Sequence, residues 1–256
     1  MEPTFKQLSS TDPKVISQGL EEIYQLVSNK KEPFDLPLLF DAVTSLFYID
    51  TFDRPDLREV VEKAQKTVAV MGPPAIAFIL EKLKDTDIKA ELAFAQSCGL
   101  MGARAIQPLI HVLKDDNRQE THAFALYALG KIKSPEIVAA LPYILEVVTR
   151  PGKELEDTAV RALGKICESI RPEDLDESTI EAIFDALVKK LSHANDVIRS
   201  KAVRSLGKLI RYGFVNPVQR NQIKHLVEHL LGLDEEHRID PAFLVRREAQ
   251  EVLDLF

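Results

Sequence analysis

At 256 residues, with 45% hydrophobic residues and ten glycines, the chain has the length and apolar content of one or two globular domains, which excludes a disordered polypeptide. No tryptophan occurs, and Ala, Leu, Ile, Glu and Lys abound; these residues lose little rotamer freedom in a helix, so the composition leans to an all-α fold. A formal net charge of −7 argues against generic attachment to a nucleic acid, which requires clustered Lys and Arg to release counterions from the phosphate backbone.

In chain order, apolar periodicity and capping residues predict helix pairs over 12–50, 54–84, 86–115, 118–150, 154–192 and 195–233, then a single helix over 241–256, all in one domain. Asp12-Pro13, Asp53 to Pro55, Ser134-Pro135, Asn195-Asp196, Asn216-Pro217 and Asp240-Pro241 each set a capping side chain beside a proline or a first helical turn. The second helices share one template. Ile76, Ile79, Leu80 and Leu83 recur as Ile106, Leu109, Ile110 and Leu113, and the pattern returns from Ile137, from Phe184 and from Ile223.

The first helices end in Ala/Leu-rich stretches carrying Gly99, Gly130, Gly164 and Gly207, and "TAVRALGKICESI" from Thr158 is nearly repeated by "KAVRSLGKLIRYG" from Lys201. Such repetition belongs to stacked units, because a lone helix pair cannot bury its apolar face and a stack can. Ala159, Leu163 and Ile166, with Ala202, Leu206 and Leu209, are expected in the seam between pairs. Gly164 and Gly207 are expected to let helices approach closely. "RPEDLDEST" and "YGFVNPV" lengthen loops without breaking the repeat. The last helix, "PAFLVRREAQEVLDLF", reads as a first helix without its second, expected to cap the sixth pair by burying Leu244, Ala249, Val252 and Leu253.

Cys98 and Cys167 each sit in a small-residue helical stretch and read as buried thiols of a reducing compartment. The opening "MEPTFKQLSS" lacks the regions of a signal peptide, and no apolar run approaches the ~18 residues of a membrane span. A cytoplasmic protein without a membrane partner is expected.

The stretches "NDVIRSKAVRSLGKL", "DPAFLVRREAQEVL" and "MGARAIQPLIHVLKDD" resemble the HEAT repeat, in particular the short form shared with phycobilisome-lyase-like proteins, and the resemblance runs from about residue 54 to the end. It implies a right-handed α-solenoid of about six helix pairs plus a C-terminal capping helix, with the second helices lining a concave side. It also implies a role as an interaction scaffold for a protein partner. The acidic residue between pairs and the arginine of the next first helix are matched by Asp196 and Arg199, and the arginine again by Arg246; Glu91, His122 and Glu156 replace it elsewhere.

Chemistry is sparse. The His-Glu dipeptides that carry iron in the HEAT-like deoxyhypusine hydroxylases are missing, as are Walker-type glycine loops, G-x-S-x-G and Cys-x-x-Cys. "HLVEH", His225 to His229, puts two imidazoles on one helical face, yet no third ligand is identifiable for zinc. No catalytic residue, metal or cofactor is expected. Partner-binding candidates on the concave side are Asp41, Thr44 and Ser45, then Phe78, Glu81 and Lys82, then Pro108, His111 and Val112. They continue with Ala139, Pro142 and Tyr143, then Ala186, Lys189 and Lys190, and finally His225, Glu228 and His229. Lys131, Arg161, Lys165, Lys201, Arg204, Lys208 and Arg211 form an alternative basic ridge on the first helices, read either as a solvated convex face or as a dock for an acidic partner. The expected function is a non-enzymatic scaffold; the alternative is an accessory subunit of a phycobilin-lyase-like complex.

Overall fold

Short polar side chains decide where helices start in this chain. Asp35 accepts a hydrogen bond from Leu38 N at 3.0 Å, Asp87 from Ala90 N at 2.8 Å and Asp176 from Thr179 N at 2.7 Å. Asn216 and Gln219 form a reciprocal capping box, 2.8 and 3.1 Å, and Asn195 accepts from Val197 N at 2.9 Å. Two expected caps do not form: Ser134 turns to the Glu136 carboxylate, and the turn at Asp53 begins its helix from Arg54 with no side-chain cap.

The structure, a computed structural model, describes residues 2–29, 33–115, 121–149, 153–235 and 239–256; residues 30–32, 118–120 and 150 of the expected pairs lie outside the described residues. Fourteen α-helices occur among the described residues, grouped into two compact units, 1–109 and 110–256. The first unit holds α1 (Glu2–Leu8), α2 (Pro13–Asn29), α3 (Leu36–Thr44), α4 (Arg58–Met71), α5 (Pro74–Lys82) and α6 (Ile88–Met101). Helix α7 (Ile106–Lys114) contains the division. The second unit continues with α8 (His122–Leu129), α9 (Leu141–Thr149), α10 (Lys153–Ile166), α11 (Glu177–Lys190), α12 (Asp196–Arg211), α13 (Pro217–Leu230) and α14 (Phe243–Leu253). Helix α1 was not expected from the sequence, and Pro135–Ala140 winds as a 3-10 helix before α9. The only extended pairing among the described residues is an isolated bridge between Leu231 and Ile239.

In the first unit α2, α4 and α6 pack side by side as first helices, and Phe40, Phe47 and Phe94 close the core beneath them, with Phe47 edge-on to Phe94 at 5.1 Å between centroids. In the second unit the same row is α8, α10, α12 and α14. The seam residues Ala159, Leu163, Ile166, Ala202, Leu206 and Leu209 are all buried, as their spacing predicts.

The glycines mark the closest approach. A Cβ on Gly164 would lie 2.7 Å from the Cβ and 2.9 Å from the Cα of Ser205, whose hydroxyl donates to Val160 O at 3.0 Å; one on Gly207 would meet Val252 at 2.6 Å. At Gly130 the nearest atom would be 3.5 Å away. Gly164→Ala is therefore expected to cost about 1–3 kcal/mol by forcing α10 and α12 apart, while Gly130→Ala is expected to be neutral or slightly stabilising. Urea unfolding of both variants checks this; equal midpoints would refute close approach as the reason for Gly164.

Helix α14 packs on α12 with an inventory shifted from the expected one: Val245, Ala249 and Val252 are buried, and so is Glu248, whereas Leu244 and Leu253 are only half-buried. Arg199 on α12 and Arg246 on α14 each reach back to carbonyls six and five residues upstream, His193 and Ala194 in one case and Asp240 and Pro241 in the other. That register sets Arg247, Gln250 and Asp254 where α12 has the buried Ser200, Val203 and Gly207. The side of α14 that would meet a further repeat is polar.

Candidate functional site

The basic ridge of the second unit is not a free cationic surface, because neighbouring first helices supply acids to it. Lys201 pairs with Asp157, and Arg204 with the buried Glu248, which also takes a hydrogen bond from Arg247 at 2.7 Å. Glu168 receives Lys165 and Lys208 at 3.0 Å and Lys133 at 3.2 Å. Burial pushes the Glu168 carboxyl up, but the hydrogen bonds from Lys165 and Lys208 outweigh it and hold the group at about 2. Burial pulls the Lys208 ammonium below its ordinary value, against the pull of Glu168. Arg161 and Lys131 lie over the Tyr127 ring at 4.5 and 5.1 Å. Of the seven candidates only Arg211 is exposed with no such partner among the described residues. The expectation of a freely solvated ridge is corrected: most of these cations tie α8, α10, α12 and α14 together.

The arginine position of the repeat behaves consistently with this. Arg199 grips Asp240 with two hydrogen bonds, 2.7 and 2.9 Å; the contact raises the Arg199 guanidinium, and burial pushes the Asp240 carboxyl up but is outweighed by the Arg199 and Ala242 N–H hydrogen bonds, which hold it below its ordinary value. One repeat earlier the polarity is reversed, with Glu156 held by Lys190 at 2.6 Å and His193 at 3.2 Å. One earlier still, buried His122 bonds the Asp115 carbonyl at 3.1 Å.

The candidates on the second helices divide by a geometric rule. Counting from the first member of each apolar stripe, residues five positions on face outward: Glu81, His111, Pro142 and Lys189 are exposed and Glu228 is half-buried. Six residues advance a helix by about 600°, which puts the sixth position on the flank of the stripe, against the neighbouring helix. Val112 is accordingly buried, a correction to its expected exposure. On the same flank Lys82 pairs with Asp41 at 3.0 Å, Tyr143 lies half-buried under Lys114 Nζ at 4.4 Å, Lys190 holds Glu156, and His229 meets Asp234 at 2.6 Å. Two further corrections come from α3 and α5. Thr44 is buried, its hydroxyl donating to Phe40 O at 2.8 Å, because Phe40 and Phe47 shift the α3 stripe towards it. Phe78 is half-buried against Phe40 at 5.5 Å and fills the gap between those second helices. Ser45, Ala139 and His225 are exposed, and Pro108 and Ala186 half-buried.

His225 and His229 are engaged separately. His225 Nδ1 lies 3.5 Å from Glu228 and its Nε2 3.2 Å from Asn221, while His229 is held by Asp234. No group of three or more metal-ligating side chains converges among the described residues. Cys98 and Cys167 are buried, and burial pushes both thiols up to about 12, far from the reactive thiolate.

Rows of first helices packed flank to flank, all but α14 followed by a second helix, make an all-α helical-repeat fold. No protein-family model and no curated protein matches the sequence. Among solved structures, a chain from the complex of CpcE and CpcF of phycocyanin lyase from Nostoc sp. PCC7120 matches with a TM-score of 0.55 and 17% identity, over 70% of this chain and 98% of that one. The archaeal HEAT-like repeats protein from Thermococcus onnurineus NA1 matches at 0.45 and 15% identity, covering 96% and 97% of the two chains. A designed armadillo repeat protein matches at 0.48 and 20% identity, covering 98% of each. At such identities the likeness is one of fold. No helix among the described residues is long and apolar enough to cross a membrane.

Proposed function

We propose that the chain is a non-enzymatic scaffold that binds a partner protein on the outward faces of its second helices. The observation that carries this reading is the contrast within the second unit. The cations of the first helices are largely engaged by neighbouring acids and by the Tyr127 ring, whereas along α7, α9 and α11 the outward His111, Pro142 and Lys189 stay exposed beside the half-buried Tyr143. An aromatic among exposed polar and apolar groups is the composition of a protein-binding patch, in which aromatics supply much of the affinity. The setting we infer is cytoplasmic, on the two buried cysteines.

Tyr143→Ala combined with Lys189→Glu is expected to weaken binding of the partner captured from the native host by about 1–3 kcal/mol with an unchanged melting temperature. Lys190 is left intact in that variant because it holds Glu156. Isothermal titration with the purified partner provides the check, and undiminished affinity in the double variant would remove these helices from the interface. A second reading, an accessory subunit handling a bilin chromophore, draws on the likeness of fold to the phycocyanin lyase chain. Visible absorbance after co-expression with a bilin would favour it over the scaffold.

A further inference from the structure

The outward side of the first helices in the first unit departs from the pattern of the rest. Helices α4 and α6 pack side by side and share a register set by their ends, Met71-Gly72 and Met101-Gly102, where both glycines take positive φ. In that register α4 presents Arg58, Glu62, Lys66 and Val70 outward, one residue per turn, and α6 presents Ile88, Leu92, Gln96 and Leu100. Three of those four α6 positions are large, apolar and open to water: Ile88 is 70% exposed, Leu92 45% and Leu100 44%. The opposite face of α6 is buried through Phe94, Ser97, Cys98 and Met101, so this helix is apolar nearly all round and one stripe of it has no partner. Phe52, 94% exposed, stands on the turn before α4.

Beside the stripe runs a groove of about 440 Å³ between α4 and α6, lined in part by Arg58, Glu62, Lys66, Gln96 and Leu100. Arg58, Glu62 and Lys66 are exposed and make no ion pair among the described residues, unlike Lys63 on the next face of α4, which pairs with Glu21 at 2.8 Å. The groove wall therefore carries solvent-exposed charges with no ion-pair partner among the described residues, in the order plus, minus, plus, in a chain whose net charge is −7. The two cations stand eight residues apart, about 12 Å along the helix.

We infer that this surface docks an acidic amphipathic helix of a partner protein. The leucine-type anchors of that helix lie on Ile88, Leu92 and Leu100, and carboxylates two turns apart lie over Arg58 and Lys66. An apolar row alone would accept many occupants; the charged row selects one whose flank is acidic at both ends. This surface is separate from the second-helix face proposed above, and its test is independent of that reading.

The probe is a fluorescein-labelled synthetic helical peptide with leucines along one stripe and glutamates eight residues apart on its flank, titrated with the full chain and read by fluorescence anisotropy. A second peptide carries lysines in place of the two glutamates. Leu92→Glu, and separately Arg58→Glu with Lys66→Glu, are each expected to weaken the acidic peptide at least about tenfold, and the charge-reversed protein is expected to bind the lysine peptide instead. Both changes lie on exposed positions, and circular dichroism melting confirms that each variant folds. Equal binding of the two peptides by the unaltered chain, or absence of binding by either, overturns the proposal. Concentration-dependent dimerisation in sedimentation velocity that Leu92→Glu abolishes overturns it in favour of a second copy of this chain as the occupant.

Discussion

Removing residues 241–256 is expected to lower the melting temperature by roughly 10–20 °C. Helix α14 buries Val245, Ala249 and Val252 against its neighbours, and Val252 fits against Gly207 of α12. At about 25 cal/mol per Å² these side chains and the α12 surface they cover amount to on the order of 5 kcal/mol, an upper estimate because the unfolded chain is already partly collapsed. In a domain of this size each kcal/mol moves the midpoint by about 2–4 °C. The truncation also strips Arg204 of Glu248 and exposes the close-packed side of α12. Differential scanning calorimetry on the truncated and full chains decides the matter. An unchanged midpoint would mean that α14 adds nothing to the stability of the stack and is a free helix.

Glu168→Gln is expected to cost about 2–4 kcal/mol, since it leaves Lys133, Lys165 and Lys208 facing one another with Lys208 half-buried. The same carboxylate gives stability a defined acid limb. Its folded value, about 2, lies below the ordinary 4.5, so the folded state holds the charged form more tightly than the unfolded chain does. The contribution is complete above pH 4.5 and is lost as pH falls towards 2; at about 1.4 kcal/mol per unit it is worth roughly 3–4 kcal/mol. Glu248, also held below its ordinary value because Arg204 and Arg247 outweigh its burial, loses stability in the same direction. Urea midpoints measured from pH 6 down to pH 2 are expected to fall more shallowly for Glu168→Gln than for the unaltered chain. Parallel curves would show that Glu168 titrates as a solvated group.

The parts of the fold set by local rules were legible in the sequence, and those set by pairing across repeats were not. Apolar spacing located the stripes of α5, α7, α11 and α13, and small residues located the seam, because each residue's burial follows from its own helix. Asp157, Glu168 and Glu248 gave no comparable signal. Each looks like an ordinary surface acid until a neighbouring first helix sets a cation against it, 44 residues on for Asp157, 40 on for Glu168 and 44 back for Glu248. Seven cations on the first helices consequently read as a ridge when most of them form a ladder.

The misplaced second-helix candidates were recoverable from helix geometry alone. Val112, Tyr143, Lys190 and His229 all occupy the sixth position of the stripe template, whose angle puts it on the flank. Thr44 was less accessible to such reasoning, since it depends on Phe40 and Phe47 widening one stripe. The outward apolar row of α6 was visible as the near-absence of charge in "IKAELAFAQSCGLM", but its meaning required knowing which side α4 covers.

Hydrogen–deuterium exchange of the chain, alone and with the partner protein captured from its native host, addresses the scaffold claim most directly. Added protection is expected in α9 and α11, over Leu141–Thr149 and Glu177–Lys190, with α10 and α12 unchanged. Protection confined to Lys153–Ile166 and Asp196–Arg211 would contradict it and return the first-helix ridge to the role of working surface.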